Sequence, residues 1–312
     1  MKLTLRHPAN QPLSSDIVLP EAQEHNTGGQ HLSFTQIAMY LRCSMQYYFR
    51  YVLGIKTPPE IPLASGKGLH AALEWNARHK MKTKEDMALD DLKDMTADML
   101  DIELNEIEGQ AAEKGEAKDE SIAQVALFRL RDAPSIQPLA VEYPFTLVIP
   151  GDDEYPDPPL PVIGFVDTYS ELDRPRSNPG GTARVIALED YKRVNQKRNQ
   201  LEVDLTPQLT LYDMVFFEQT GALPDVIGLR QFTHTKKDGA AVTPIYRSPE
   251  LMEPTVRFLR WERMKQQVRR VQDAIRKGVF IPTDDSKTCS WCGYRQMCQF
   301  SLVKTNEPPR TP

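Results

Sequence analysis

The chain is poor in the features that would place a protein in a membrane or an oxidising compartment. Four cysteines among 312 residues are too few and too unevenly placed for a disulfide framework. No stretch approaches the roughly 18 consecutive apolar residues of a membrane span. The N-terminus, Met1-Lys-Leu-Thr-Leu-Arg6, turns polar too soon for the apolar core of a signal peptide. There is no internal repeat, and Gly66-Lys67-Gly68 does not fit the G-x4-G-K-[ST] pattern of a phosphate-cradling loop. Net charge is −5, so the overall positive balance common in nucleic-acid binders is missing, although a clustered basic surface matters more than the sum. What is left, at 40% hydrophobic and 26% charged residues, is a soluble globular protein. The expected location is the cytoplasm of a bacterium or phage-infected host, where thiols stay reduced.

The cysteines that are present carry the strongest signal. Cys289, Cys292 and Cys298 form a C-x2-C-x5-C cluster, and Cys43 lies near the other end. Four thiolates around one centre suit zinc or an iron–sulfur cluster. Either would force the two ends of the chain together.

Between them, order is expected to begin at Ser33, where Ser33-Phe-Thr-Gln36 fits a helix capping box. Residues 1–30 read as a flexible arm and 304–312 as a disordered tail. A helix is predicted over Thr35–Val52, its aromatics near Tyr47 belonging to the core. Pro58, Pro62 and the Gly66–Gly68 step break the pattern, and a second helix starts near Leu69. Residues 80–130, rich in charge, Met, Leu and Ala, read as a helical insertion of two or more helices linked near Gly115. Strands follow at 140–149, 162–172 and 183–191, the last two joined by a turn over Ser177–Thr182. A helix over Gln208–Glu218, a hairpin over 226–246 and a long helix over 254–278 complete the pattern. The whole predicts one α/β domain over 31–303.

The third strand runs Val185-Ile-Ala-Leu-Glu-Asp190-Tyr-Lys192. Side chains alternate along a strand, so Asp190 and Lys192 share a face. A hairpin centred on Asn178-Pro179 would bring Asp167, in Gly164-Phe-Val-Asp167, opposite Asp190. Paired carboxylates with a lysine two residues on suit phosphodiester hydrolysis with Mg²⁺ or Mn²⁺, the lysine orienting water or stabilising developing charge. His70, at a helix start, is a candidate further ligand, although a lone histidine is more often structural.

These motifs, in this order, resemble the RecB-type branch of the PD-(D/E)xK nucleases in its iron–sulfur form, which includes CRISPR-associated exonucleases and the nuclease domain of the AddB helicase–nuclease subunit. The resemblance runs from Leu32-Ser-Phe-Thr-Gln-Ile-Ala-Met-Tyr-Leu-Arg-Cys43 through Gly66-Lys-Gly-Leu-His70, Gly164-Phe-Val-Asp167, Asp190-Tyr-Lys192 and Gln208-Leu-Thr-Leu-Tyr212 to Cys289, Cys292 and Cys298. It covers about residues 32 to 300. It implies a restriction-endonuclease-like core, a mixed sheet flanked by helices, with a cysteine-ligated cluster at 289–298 joining the N- and C-terminal segments. It implies a [4Fe–4S] cluster rather than zinc, His70 as a ligand beside Asp167 and Asp190, and Gln208 and Tyr212 as substrate contacts. The first carboxylate lacks the preceding proline common in this branch, and residues 80–130 match nothing specific.

Between 256 and 277 eight basic residues face only Glu262 and Asp273, a local charge of +6 in an acidic protein. Arg263, Arg269 and Arg270 are therefore candidate phosphate contacts, with a solvated face as the alternative. The expected function is a metal-dependent DNA exonuclease acting on single-stranded ends, in recombination, repair or CRISPR adaptation, with a helicase or recombination protein as a partner. The alternatives are a non-catalytic DNA-binding scaffold of the same fold and a zinc-stapled nuclease.

Overall fold

The computed structural model describes residues 31–151, 153–155, 158–175 and 182–303. The expected arm at 1–30, the tail at 304–312 and the turn over 177–181 lie outside the described residues.

Ser33 does cap the first helix, its hydroxyl taking the Gln36 N–H at 3.2 Å while the Gln36 side chain takes the Ser33 N–H at 2.7 Å. That helix, α1 (Phe34–Arg42), ends sooner than expected. Cys43 is extended, with φ −164° and ψ 107°, and divides the predicted single helix into α1 and a short α2 (Ser44–Tyr47) running into a π-helical turn over Tyr48–Val52. The aromatics here are mostly packed: Tyr47 and Phe49 are buried.

The second helix also departs from expectation. α3 (Ile61–Thr83) starts eight residues before Leu69, with Pro62 in its first turn, and runs straight through Gly66–Gly68. Gly68 is there for contact rather than for a turn, since a Cβ added to it would lie 2.8 Å from Leu100 Cδ2. Leu100 belongs to α4 (Leu89–Asn105), which is followed by α5 (Ala111–Arg131). The link between them is Glu106–Gln110, with Gly109 and Gln110 at positive φ, and Gly115 sits inside α5. Leu100, Leu104 and Ile107 of the insertion form a small core with Ala64.

The sheet holds β1 (Leu32–Ser33), β2 (Ile136–Ile149), β3 (Leu160–Pro175), β4 (Thr182–Arg193), β5 (Val226–Thr235) and β6 (Gly239–Tyr246). Its path is β1-β3-β4-β5-β6, with β2 antiparallel along the other edge of β3. Two prolines, Pro138 and Pro144, lie in β2, a position open to them at a sheet edge. β1 and β4 pair with different stretches of β3: β1 in parallel at Val162 and Ile163, β4 antiparallel from Thr168 to Pro175. Residues Gly164 to Asp167 fall between the two.

Helices α6 (Gln200–Leu205), α7 (Pro207–Thr220) and α8 (Pro254–Arg276) follow β4 and β6, and α9 (Ser286–Ser290) carries Cys289 and precedes Cys292 and Cys298. α1, α7 and α8 cover one face of the sheet over the larger core, which includes Ile37, Leu188, Leu209, Phe216 and Val268. α3 and α5 cover the other, with Leu69, Leu73 and Phe128 packed against Ala187, Tyr191 and Phe232. No helix among the described residues is long and apolar enough to cross a membrane.

α8 corrects one expectation about charge. Arg269 is 1% exposed, and its guanidinium donates to the carbonyls of Pro150 and Pro158 at 3.0 Å each and to that of Ile149. It clips the β2–β3 connection onto α8 and is no phosphate contact. Arg257 is buried too, against Asp213 at 3.4 Å. Arg263 and Arg270 remain on the surface. Arg269→Ala is therefore expected to cost on the order of 3 kcal/mol, by taking the donor from three carbonyls, that of Ile149 buried, and by emptying the space of a fully buried side chain. Denaturant melts should show that loss. Of the three candidate arginines, only Arg263 and Arg270 should change the salt slope of DNA binding when neutralised.

Candidate metal centre

The functional side chains converge where β3 and β4 part. The β3–β4 register, with Thr168 opposite Glu189, carries on to set Asp167 against Asp190 just past the last paired residues. This is the register that a midpoint at Asn178-Pro179 requires. The Asp167 carboxylate holds the opening, its Oδ2 accepting the Tyr191 backbone N–H at 2.9 Å. Beyond that point β4 keeps its pairing with β5, Asp190 opposite Leu229 and Lys192 opposite Gln231. Next to Asp190, fully buried Glu189 accepts from Arg230 at 2.7 Å and from the Tyr246 hydroxyl at 2.7 Å, which anchors β4 from the opposite face.

Because the strands separate here, helices on both faces reach the same carboxylate. From α3, His70 Nδ1 lies 3.6 Å from Asp167 Oδ2. From α7, the Tyr212 hydroxyl lies 3.2 Å from Asp167 Oδ1 and 3.5 Å from Asp190 Oδ1, and the Gln208 amide donates to that hydroxyl at 2.8 Å. Tyr212 is only 2% exposed. Its hydroxyl orients the carboxylates, so the expectation of a substrate contact is corrected for Tyr212; half-buried Gln208 keeps that option. Lys192 Nζ sits 2.9 Å from Asp190 Oδ1.

One residue was missed from the sequence. Glu142 lies in β2 between Val141 and Tyr143, whose partners Thr168 and Val166 flank Asp167, so it stands across from Asp167 on the edge away from Asp190. His70, Glu142 and Asp167 each offer a ligand atom within 4.8 Å of the others. Glu142 has φ +44°, in the left-handed region, a strain of about 1–3 kcal/mol for a residue with a side chain. The available signal was a lone charge inside the apolar run Leu139-Ala-Val-Glu-Tyr-Pro-Phe.

The electrostatics match a site short of positive charge. Burial, helped by Asp167 and Glu74, pushes the Glu142 carboxyl up to about 7. Burial also raises Asp190, with Asp167 adding to the shift and Lys192 opposing it. Burial lowers His70, so its imidazole is neutral near pH 7 and can ligate. For Lys192 burial pulls downward, but Asp190 and Asp167 outweigh it and the ammonium is held above its ordinary value. Asp190 Oδ2 is buried with no hydrogen-bond partner. An orphaned carboxylate oxygen beside an imidazole and two more carboxylates is a donor set suited to a hard divalent cation.

The four cysteines also come together. All are free thiols, and all line one pocket with Met45, Gln46, Phe49 and Arg295. Burial pushes the Cys292 thiol up, Cys43 and Cys298 adding to it, so thiolates here need a cationic partner. The segments that carry them are joined by ordinary contacts as well. Ser44 Oγ donates to the Ile281 carbonyl at 2.9 Å, the Tyr294 hydroxyl to the Ile55 carbonyl at 2.9 Å, and Phe49 packs on Tyr294 at 5.3 Å. A Cβ on Gly293 would meet Thr57 Cγ2 at 2.7 Å, so only glycine permits this approach.

A family model described as the PD-(D/E)XK nuclease superfamily matches residues 31–299. None of the curated proteins matches the chain. Among solved structures, one from Eubacterium rectale described as a "Putative exonuclease" is 11% identical, with 90% of this chain and 97% of that one covered and a TM-score of 0.47. Another, SSO0001, is 11% identical, with 86% and 100% covered and a TM-score of 0.34.

Proposed function

The chain belongs to the PD-(D/E)XK nuclease superfamily, and from that premise we propose that it is a divalent-metal-dependent DNA exonuclease of the RecB-type branch, stapled by a [4Fe–4S] cluster and acting on single-stranded ends. The observation that carries the reading is the convergence of His70, Glu142 and Asp167 beside a buried Asp190 whose Oδ2 has no partner. A Mg²⁺ or Mn²⁺ ion held by these residues would polarise the scissile phosphate and lower the pKa of an attacking water. Lys192, kept charged by the carboxylates, is placed to orient that water and to offset charge developing on the phosphate. Tyr212 and Gln208 fix the Asp167 carboxylate so that it need not reorganise during the reaction. Cys43, Cys289, Cys292 and Cys298 would hold the cluster as a structural clip within a single nuclease domain over 31–303. DNA is the partner, in a recombination, repair or CRISPR-adaptation setting.

Digestion of end-labelled single- and double-stranded DNA with Mn²⁺, Mg²⁺ or chelator tests this. Metal-dependent release of short products from single-stranded ends is expected, and metal-independent or absent cleavage would overturn it. Anaerobically purified protein should be brown, with absorbance near ~400 nm from thiolate-bound iron; colourless, zinc-containing protein would exclude the cluster.

The raised carboxyls give a pH signature in metal-free protein. A group whose folded pKa lies above its unfolded value stabilises below the unfolded pKa, and that stability is lost as pH rises through the folded one. For Glu142 the window runs from its ordinary 4.5 to about 7. The Tm of chelator-treated protein is thus expected to fall across this range, more steeply than in Glu142→Gln. Added Mn²⁺ should raise Tm more at pH 8 than at pH 5. A wild-type pH profile identical to that of Glu142→Gln would remove Glu142 from the site.

A further inference from the structure

α3 delivers His70 to the metal centre and then continues for 13 residues, and among the described residues the stretch beyond the histidine supplies no member of the His70–Glu142–Asp167 ligand group. Trp75 lies on it, 52% exposed. Its indole has no hydrogen bond or ring contact among the described residues. A tryptophan left open beside a candidate catalytic site is a costly use of apolar surface unless something covers it.

Its neighbours indicate what that is. At about 100° per residue, with His70 set at zero, Lys67, Arg78, Lys82 and Trp75 all fall between roughly 60° and 140° on one side of the helix. Leu69, Leu73 and Lys80 fall on the other, and all three are buried. Arg78 and Lys82 are exposed. Among the described residues Lys67 and Arg78 form salt bridges to half-buried Glu103 at 3.3 Å and Glu74 at 2.7 Å, their own cationic ends lying more than half open to solvent for Lys67 and half open for Arg78, where a phosphate can compete. Trp75 lies about 7.5 Å along the axis from His70, close to two base rises of about 3.4 Å. Lys82 lies about 18 Å along.

We infer that this face of α3 is the track for the single strand, with Trp75 stacking on an unpaired base next to the scissile phosphate and Arg78 and Lys82 holding the backbone beyond it. The inference rests on the nuclease reading and adds a determinant of strand preference to it. A duplex keeps its base faces stacked and offers none to the indole, whereas every unpaired base has one to give. Trp75 would favour single strands without reading sequence.

The chain has three tryptophans, and Trp261 is buried while Trp291 is 75% exposed. Trp291→Phe protein therefore reports mainly on Trp75. With oligothymidylate and chelator, so that nothing is cut, binding is expected to quench the fluorescence of Trp291→Phe but not of Trp75→Phe/Trp291→Phe. Trp75→Ala should weaken oligothymidylate binding by about tenfold, within the range of a lost base–aromatic stack. Binding to blunt duplex should not change, and Trp75→Phe should restore most of the loss. Lys82→Ala should lower the single-strand salt slope by about 0.7. Wild-type protein that cuts single-stranded DNA alongside an equally tight Trp75→Ala variant would overturn the track and leave the nuclease reading standing. Equal losses on single strand and duplex would also overturn it, as a structural effect. Wild-type protein that neither binds nor cuts DNA would overturn both.

Discussion

Asp190→Ala is expected to lower DNA cleavage by about 10³-fold or more, with Mg²⁺ or Mn²⁺ alike, while the fold survives. The side chain is fully buried and its Oδ2 is unsatisfied, so the metal-free protein carries a charge that burial disfavours. Removing it should leave the metal-free Tm unchanged or higher. Lys192, whose partner is lost, is 30% exposed and can turn to water. Asp190→Asn should match the alanine variant in activity, because an amide keeps the shape but not the charge a cation needs. Isothermal titration with Mn²⁺ should show the binding heat diminished in both. Cleavage at the wild-type rate by either purified variant would move the site elsewhere.

The second large effect is expected on stability. Cys43→Ser should lose the iron and melt well below wild type, with proteolysis or aggregation following. The proposed cluster would close a loop of about 250 residues, and a cross-link over a loop of that length is worth about 5 kcal/mol in the chain-entropy picture. Tyr294→Phe provides the contrast, since it deletes one hydrogen bond to the Ile55 carbonyl in the same clip and should cost only about 1 kcal/mol with the iron retained. A soluble Cys43→Ser protein with full iron content and an unchanged melting curve would sink the four-cysteine assignment.

Much of the sheet was legible because local rules decided it. Asp167 and Asp190 could be opposed on paper since a hairpin register follows from its midpoint, and Thr168 does pair with Glu189. The helices were harder. Gly66 and Gly68 read as breakers because propensity is local, whereas α3 is continuous and Gly68 answers to Leu100, a residue 32 positions away. Cys43 read as helical because its neighbours are, and tertiary placement of the thiol overrides them. Arg269 looked like its neighbour Arg270, yet one is buried against the carbonyls of the β2–β3 connection and the other is exposed; composition cannot distinguish a guanidinium facing a loop from one facing water. Glu142 was hidden because its role depends on a left-handed backbone inside a strand, which periodicity does not foresee.

The clip between the segment around Ser44 and the segment around Ile281 also sets a clock. The Ser44 hydroxyl cannot meet the Ile281 carbonyl, nor Tyr294 the Ile55 carbonyl, until translation has passed them. At about 5–20 residues per second, roughly 12 to 50 seconds separate the emergence of the first half of the clip from that of the second. β4, which carries Asp190 and Lys192, leaves the ribosome within that interval. The nascent chain thus holds its candidate hydrolytic residues before it holds the segment that joins the two ends of the clip, and the order of synthesis delays the assembled site until the segment around Tyr294 has emerged.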